Sequence, residues 1–296
     1  TLPDPWSGGA GQPQLPWRGW ITTSLAAARE GTPDGTSAAT AQVAAFMGTA
    51  AVGHFTVTGT RVDYNGPSPR GYRGFILHYA HLCAAAGGVS AFCIGADLPG
   101  LTRIRGAGGS FPFVDALRSL AADVRLILGP GCKISYTADW TEYHGFQPVG
   151  TGDKLFHLDA LWADANIDFV GVTAAMPLAD WRDGPDHRDQ AAGSIYAFDY
   201  LRGNVAGGEG YDWTYPTPEA RAAQRRVPIA DPDGEPWVWR PKDFAGWWSH
   251  PHHNRIGGVR QATSTAWLPE SKPIWFTALG CPAVDKAANQ PARFLH

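Results

Sequence analysis

The chain has 296 residues, of which 44% are apolar and 17% charged, with a net charge of -3. That composition excludes a disordered polypeptide, which lacks the apolar material for a core, and it leaves no broad basic face for nucleic acid. No apolar run of about 18 residues occurs, which excludes a transmembrane helix and predicts a soluble chain of a length suited to one α/β barrel.

Residues 1–17, TLPDPWSGGAGQPQLPW, carry neither an initiator Met nor a signal-peptide pattern and read as a linker within a longer polypeptide. Residues 51–70 alternate and turn as an inserted β-hairpin. The helix predicted at 72–88 places Phe75, Ile76, Tyr79, Leu82, Cys83 and Ala86 on one face and stops at Gly87-Gly88. It feeds an apolar strand from Val89 to Asp97, as a buried parallel strand should be fed. The unit repeats at 110–140, with Ser110 as N-cap, a stripe of Val114, Leu117, Leu120, Val124, Ile127 and Leu128, a Gly-Pro-Gly stop and the strand KISYTADW. A third copy has a helix at 155–166 and a strand at 167–173. Units recurring every roughly 35–45 residues imply right-handed parallel crossovers and a parallel α/β sheet.

Residues 176–270 form one long insertion, with a helix at 217–226 and an aromatic cluster at 236–253, and such excursions are more often functional or interfacial than idle. Then comes a last strand, read as buried, within KPIWFTALGCP, and residues 287–296 leave as an exit linker. GAGG at 106–109 lacks the full dinucleotide fingerprint, and no Walker A sequence is present. Acidic and aromatic residues instead follow the strands, at Asp97, Asp139, Trp140, Glu142, Asp180 and Trp181. That arrangement favours a (β/α)8 TIM barrel over a nucleotide fold. About six or seven of the eight strands are countable here, which leaves one or two upstream of Thr1.

The segments RGWITTSLA, GTSAATAQVAAFMG, YRGFILHYAHLCAAAGGVSAFCIG, KISYTADWTEY, LWADANIDFVGV, MPLADWRDG, WWSHPHHNR and PIWFTALGCPAVDK together resemble the TIM-barrel-like domain of the large tail or baseplate hub protein of gene transfer agents and related phage-like particles. The resemblance covers nearly the whole chain, with the barrel at 18–286. It implies a glycoside-hydrolase-type barrel attached to a particle tail, made in the bacterial cytoplasm and acting outside the cell. Implied partners are other baseplate proteins, further domains of the same polypeptide, a cell-surface glycan, and copies around a symmetry axis. No cofactor, nucleic acid or membrane insertion is implied.

Against the family pattern three strand ends differ. Where the family carries a Glu acid/base this chain has Asp97, where it carries an Asp-Asn-Tyr type triplet this chain has Thr173, Ala174 and Ala175, and where it carries the nucleophile this chain has Ala278. Glycoside hydrolysis needs two carboxyl groups, about 5–5.5 Å apart for retention or about 6.5–9.5 Å for inversion, and Ala278 supplies none. Asp97 remains as an acid/base. Asp139 and Glu142 are the available substitutes, although Glu142 reads as a solvent-facing loop carboxylate and Asp139 as a loop or helix cap.

Trp140, Asp180, Trp181, Trp213, Trp247 and Trp248, with Thr173, form candidate sugar platforms. Loop anchoring explains tryptophans equally well. His250, His252 and His253 have poor spacing for a metal, and His78 and His81 read as partners for loop backbone. Cys83, Cys93, Cys132 and Cys281 match no zinc or disulfide pattern and read as small buried hydrophobes. Two functions stay open: a degenerate barrel serving structure or glycan recognition, and an active hydrolase of host cell-wall or capsule glycan.

Overall fold

A computed structural model describes residues 3–9, 11 and 17–292; residues 1, 2, 10 and 12–16 of the expected linker, and 293–296 of the exit segment, lie outside the described residues. In chain order the elements are α1 (Ser37–Met47), β1 (Phe55–Thr58), β2 (Arg61–Tyr64), α2 (Gly71–Ala85), β3 (Ala91–Ala96), α3 (Pro99–Thr102), α4 (Pro112–Leu128), β4 (Lys133–Asp139), α5 (Asp159–Trp162) and β5 (Val170–Ala174). There follow α6 (Phe198–Gly203), β6 (Trp213–Thr214), α7 (Pro218–Ala222), β7 (Val227–Pro228), α8 (Phe244–Ser249), β8 (Arg255–Ile256), β9 (Val259–Arg260) and β10 (Ile274–Leu279). The chain divides into two compact units: the described residues up to Val172 with Pro251–Trp275, and Thr173–His250 with Phe276 onward.

The first unit contains the expected hairpin, β1 antiparallel to β2 with Phe55 opposite Tyr64 and Thr58 opposite Arg61. β3 and β4 pair in parallel, Ala91 with Lys133 through Cys93 with Ser135, and then, past a bulge, Ala96 with Thr137. The strand order is β10-β5-β4-β3. Four strands in one row, where about six or seven barrel strands were expected, is the main departure among the described residues. The excursion 176–270 supplies only two-residue strand pairs, too short to extend the sheet. β5 approaches β4 closely: a Cβ on Gly171 would lie 2.6 Å from the Tyr136 carbonyl oxygen.

α4 starts at Pro112 with Phe111 as its N-cap, one residue later than the expected Ser110, and no side chain caps it. Packing positions it instead. Val114, Leu117, Leu120 and Val124 are fully buried and contribute about 1.5–3 kcal/mol each, against about 1 kcal/mol for a missing cap bond. Gly129 at φ +75° ends the helix, its N–H bonding the Arg125 carbonyl, in a left-handed conformation that glycine adopts at no steric cost.

On α2 the buried face is Ile76, Leu77 and Ala80, whereas the expected Phe75 and Tyr79 are about half exposed and pack on each other. The helix is apolar nearly all round, so periodicity alone misplaced its inner face. Phe46, Tyr72 and Phe113 close the α1-α2-α4 layer with ring centroids 5.3–6.1 Å apart.

β10 was read as buried. It is mostly exposed, Phe276 at 50% and Leu279 at 75%, and stands at the end of the row. Of the cysteines only Cys132 is buried; Cys83 is half-buried and Cys93 and Cys281 are exposed, so small size and apolar neighbours did not ensure burial. The helices expected at 155–166 and 217–226 shrink to α5 and α7. Among the described residues no helix is long and apolar enough to cross a membrane.

Candidate functional site at the ends of β3 and β4

Within the first unit, the C-terminal ends of β3 and β4 carry Asp97, Asp139, Trp140 and Glu142. Asp97 turns the chain at φ +50° while its N–H still bonds the Thr137 carbonyl at 2.9 Å. Its carboxylate is buried. Oδ2 accepts from Arg18 Nη2 at 2.5 Å, and Oδ1 is buried without a hydrogen-bond partner. Arg18 belongs to the single turn Arg18–Trp20, laid so tightly over α3 that a Cβ on Gly100 would fall 2.4 Å from the Ile21 carbonyl oxygen.

Glu142 was expected to face solvent and is instead fully buried. The turn that follows β4 swings it back under the strand end, its N–H bonding the Asp139 carbonyl at 2.7 Å. Oε1 accepts from Thr102 Oγ1 at 2.5 Å and Tyr136 OH at 2.9 Å, and Oε2 accepts from the Asp139 N–H at 3.1 Å. The Tyr136 hydroxyl in turn accepts from the Leu98 N–H at 2.7 Å, which ties the end of β3 to β4. Burial drives the Glu142 carboxyl up to about 7, against the Thr102 bond and the Arg103 charge that favour ionisation. Asp139 is also raised, by burial first, with its Thr141 bonds opposing and the Asp97 charge adding. Its Oδ1 accepts from Thr141 N–H at 2.9 Å and Oγ1 at 2.6 Å, the local bonding of a turn-capping Asp.

A basic group adjoins the acids. Arg103 donates from Nη2 to the Thr141 carbonyl at 2.6 Å, and its Nε is buried without a partner. Lys154 is buried with Nζ 2.9 Å from His144 Nδ1; burial, helped by the Arg103 charge, pulls its amine down to about 7. His157 lies buried between Phe111 and Phe146, and burial holds it well below the usual histidine range. Sequence reasoning missed Arg18, Thr102, Arg103, Tyr136, His144, Lys154 and His157. Only Tyr136 carried a signal, as the one aromatic in β4.

Trp140 is half-buried and its indole N–H is buried without a partner. At this end of the unit one acceptor, Asp97 Oδ1, and two donors, Trp140 Nε1 and Arg103 Nε, are buried without partners, as are both ring nitrogens of His157. Buried polar atoms are normally paired, so these groups are exceptions to that rule.

The other expected site residues fall in the second unit. Asp180 is buried and accepts from Tyr215 OH at 2.5 Å, Arg226 Nη2 at 2.7 Å, Arg182 Nη2 at 2.9 Å and Gln224 Nε2 at 3.1 Å. Arg226 also pairs with Asp189 and lies 4.1 Å over the Trp213 ring, while Trp181 packs edge-on to His187 at 4.4 Å. Asp180, Trp181 and Trp213 thus meet in one network. Trp247 is buried and Trp248 half-buried on α8; Thr173 is half-buried on β5; Ala278 is exposed on β10. His81 bonds the Val52 carbonyl, as expected for a loop partner. Among the described residues no group of three or more His, Cys, Asp or Glu is placed to hold a metal ion. His252 bonds Asp159 at 2.8 Å and His253 the Gln261 carbonyl at 2.9 Å.

The family model for the GTA TIM-barrel-like domain matches residues 70–296, most of the chain. The protein belongs to that family. No curated protein matches the chain. Membership makes this a gene-transfer-agent-related, TIM-barrel-like domain, with the β3 and β4 ends falling inside the matched range and the hairpin β1-β2 before it.

Proposed function

We propose that this domain serves in a tail baseplate hub and binds host-surface glycan at the β3 and β4 ends without hydrolysing it. The observation that carries the reading is the state of the acids. Asp97 is engaged by Arg18 and Glu142 is saturated by three donors, while the half-buried Trp140 ring adjoins them. Ala278 adds no carboxyl at the strand end where the family resemblance expects one, and losing one of the two acids removes either the nucleophile or the proton donor.

One observation favours a second reading, in which the site hydrolyses glycan. Asp139 is held toward its protonated form by burial and by the Asp97 charge, and a raised acid beside an ion-paired carboxylate is the division of labour a glycosidase uses.

The experiment is to incubate the chain with purified cell-wall and capsule polysaccharides, measuring both binding by tryptophan fluorescence and release of reducing ends. Binding weakened about tenfold by Trp140→Ala, with no reducing ends released, supports the proposal. Turnover abolished by Asp139→Asn would establish the hydrolase instead.

A further inference from the structure

A polar cavity of about 530 Å³ lies in the first unit between β2, the loop after it, and α2, lined among others by Asp63, Tyr64, Ser68, Arg70 and His78. Its volume is in the range of small-molecule sites. The hairpin is held over the helix by aromatic contacts: Tyr64 packs against Phe55 at 5.1 Å and Phe55 against His78 at 6.3 Å. The Tyr64 hydroxyl donates to the Pro67 carbonyl at 2.6 Å and fixes the loop. The walls are therefore built by side chains that are already in place.

The polar groups facing the cavity are under-used. The exposed Arg70 guanidinium makes no ion pair among the described residues, and the His78 side chain forms part of the wall. Both bonds from Arg61 to Asp63 go to Oδ1, which leaves Oδ2 as an acceptor. One unpaired guanidinium is a fork for a single carboxylate, and a carboxylate acceptor, a hydroxyl and an imidazole around it suit neighbouring hydroxyl groups. A dianionic phosphate would want a second cation, and none lines this cavity.

We propose that this cavity binds a carboxylate-bearing sugar, with Arg70 holding the carboxylate and Asp63 and His78 meeting ring hydroxyls. The site is separate from the acids at the β3 and β4 ends, so its test stands or falls apart from theirs.

The test is calorimetric titration of the whole chain with glucuronate, glucose and glucose 6-phosphate, repeated on Arg70→Ala and Asp63→Asn. Expected are saturable glucuronate binding, at least tenfold weaker or undetectable glucose binding, and a loss of about tenfold or more on Arg70→Ala. Arg70 is exposed, so an unchanged circular dichroism spectrum keeps that variant interpretable. Asp63→Asn is expected to weaken binding by a few-fold. No saturable glucuronate binding, glucose binding as tight as glucuronate, or an Arg70→Ala variant that binds unchanged would each overturn the proposal. Tighter binding of glucose 6-phosphate would overturn the assignment of a carboxylate.

Discussion

Glu142 shows how a single buried acid shapes stability. Its folded carboxyl titrates at about 7 against 4.5 for the free group, so between those values the folded state holds a proton that the unfolded chain has released. The stabilising contribution of the neutral form is fully present below 4.5 and is lost as pH rises towards 7. Glu142→Gln is therefore expected to flatten the pH dependence of urea unfolding over that window, where the unmodified chain loses of order 1–3 kcal/mol. Lys154, pulled down to about 7 from 10.5, acts in the next window and with the opposite sign. The unfolded chain binds the extra proton between 7 and 10.5, so stability from this group rises with pH there.

Arg18→Ala leaves the buried Asp97 carboxylate with neither oxygen paired by a side chain, and about 1 kcal/mol is expected to be lost, limited by the half-exposure of Arg18. The double variant with Asp97→Ala should recover most of it in a double-mutant cycle. The sequence made Asp97, Asp139 and Trp140 visible because they follow a strand. It hid Arg18 and Lys154, whose partners lie 79 and 10 residues away in the chain, and periodicity has no means of reporting pairings between separate segments.

At the scale of elements, β4 is the organising strand: its Tyr136 hydroxyl joins Leu98 to Glu142 on one side, and its backbone meets Gly171 on the other. Gly171→Ala places a methyl against the Tyr136 carbonyl and is expected to cost about 1–3 kcal/mol, read from the thermal or urea midpoint. The helix-strand alternation from α2 to β5 was legible, because burial on both faces writes apolar strands and glycine stops into the sequence. Strand edges were not. β10 has the composition of a buried strand and lies exposed at the end of the row, a place that composition does not encode. Ser110 failed as a cap for a local reason: Pro112 fits the first helical position, which moves the helix start one residue on.

For the whole molecule, the sequence expects one long insertion at 176–270 and gives no sign that Thr173–His250 belongs to a unit with its own interior. Its centre is ionic and aromatic, with Asp180, Asp189 and Arg226 among Tyr200, Tyr215 and Trp213, and such a core leaves no hydrophobic periodicity to read. Arg226→Ala leaves two carboxylates short of a partner, one of them deeply buried, at a cost of about 3 kcal/mol. The expected result is faster amide exchange across Thr173–His250, with the α4 and β4 amides unchanged.

Asp97 stands at φ +50°, a backbone region that Asp, Asn and Gly occupy readily and longer side chains do not. Asp97→Glu would therefore put a longer side chain into a turn that suits the shorter acid and against a carboxylate position held by Arg18. The length of the acid, the turn and Arg18 are tied together, so none of the three changes alone without strain.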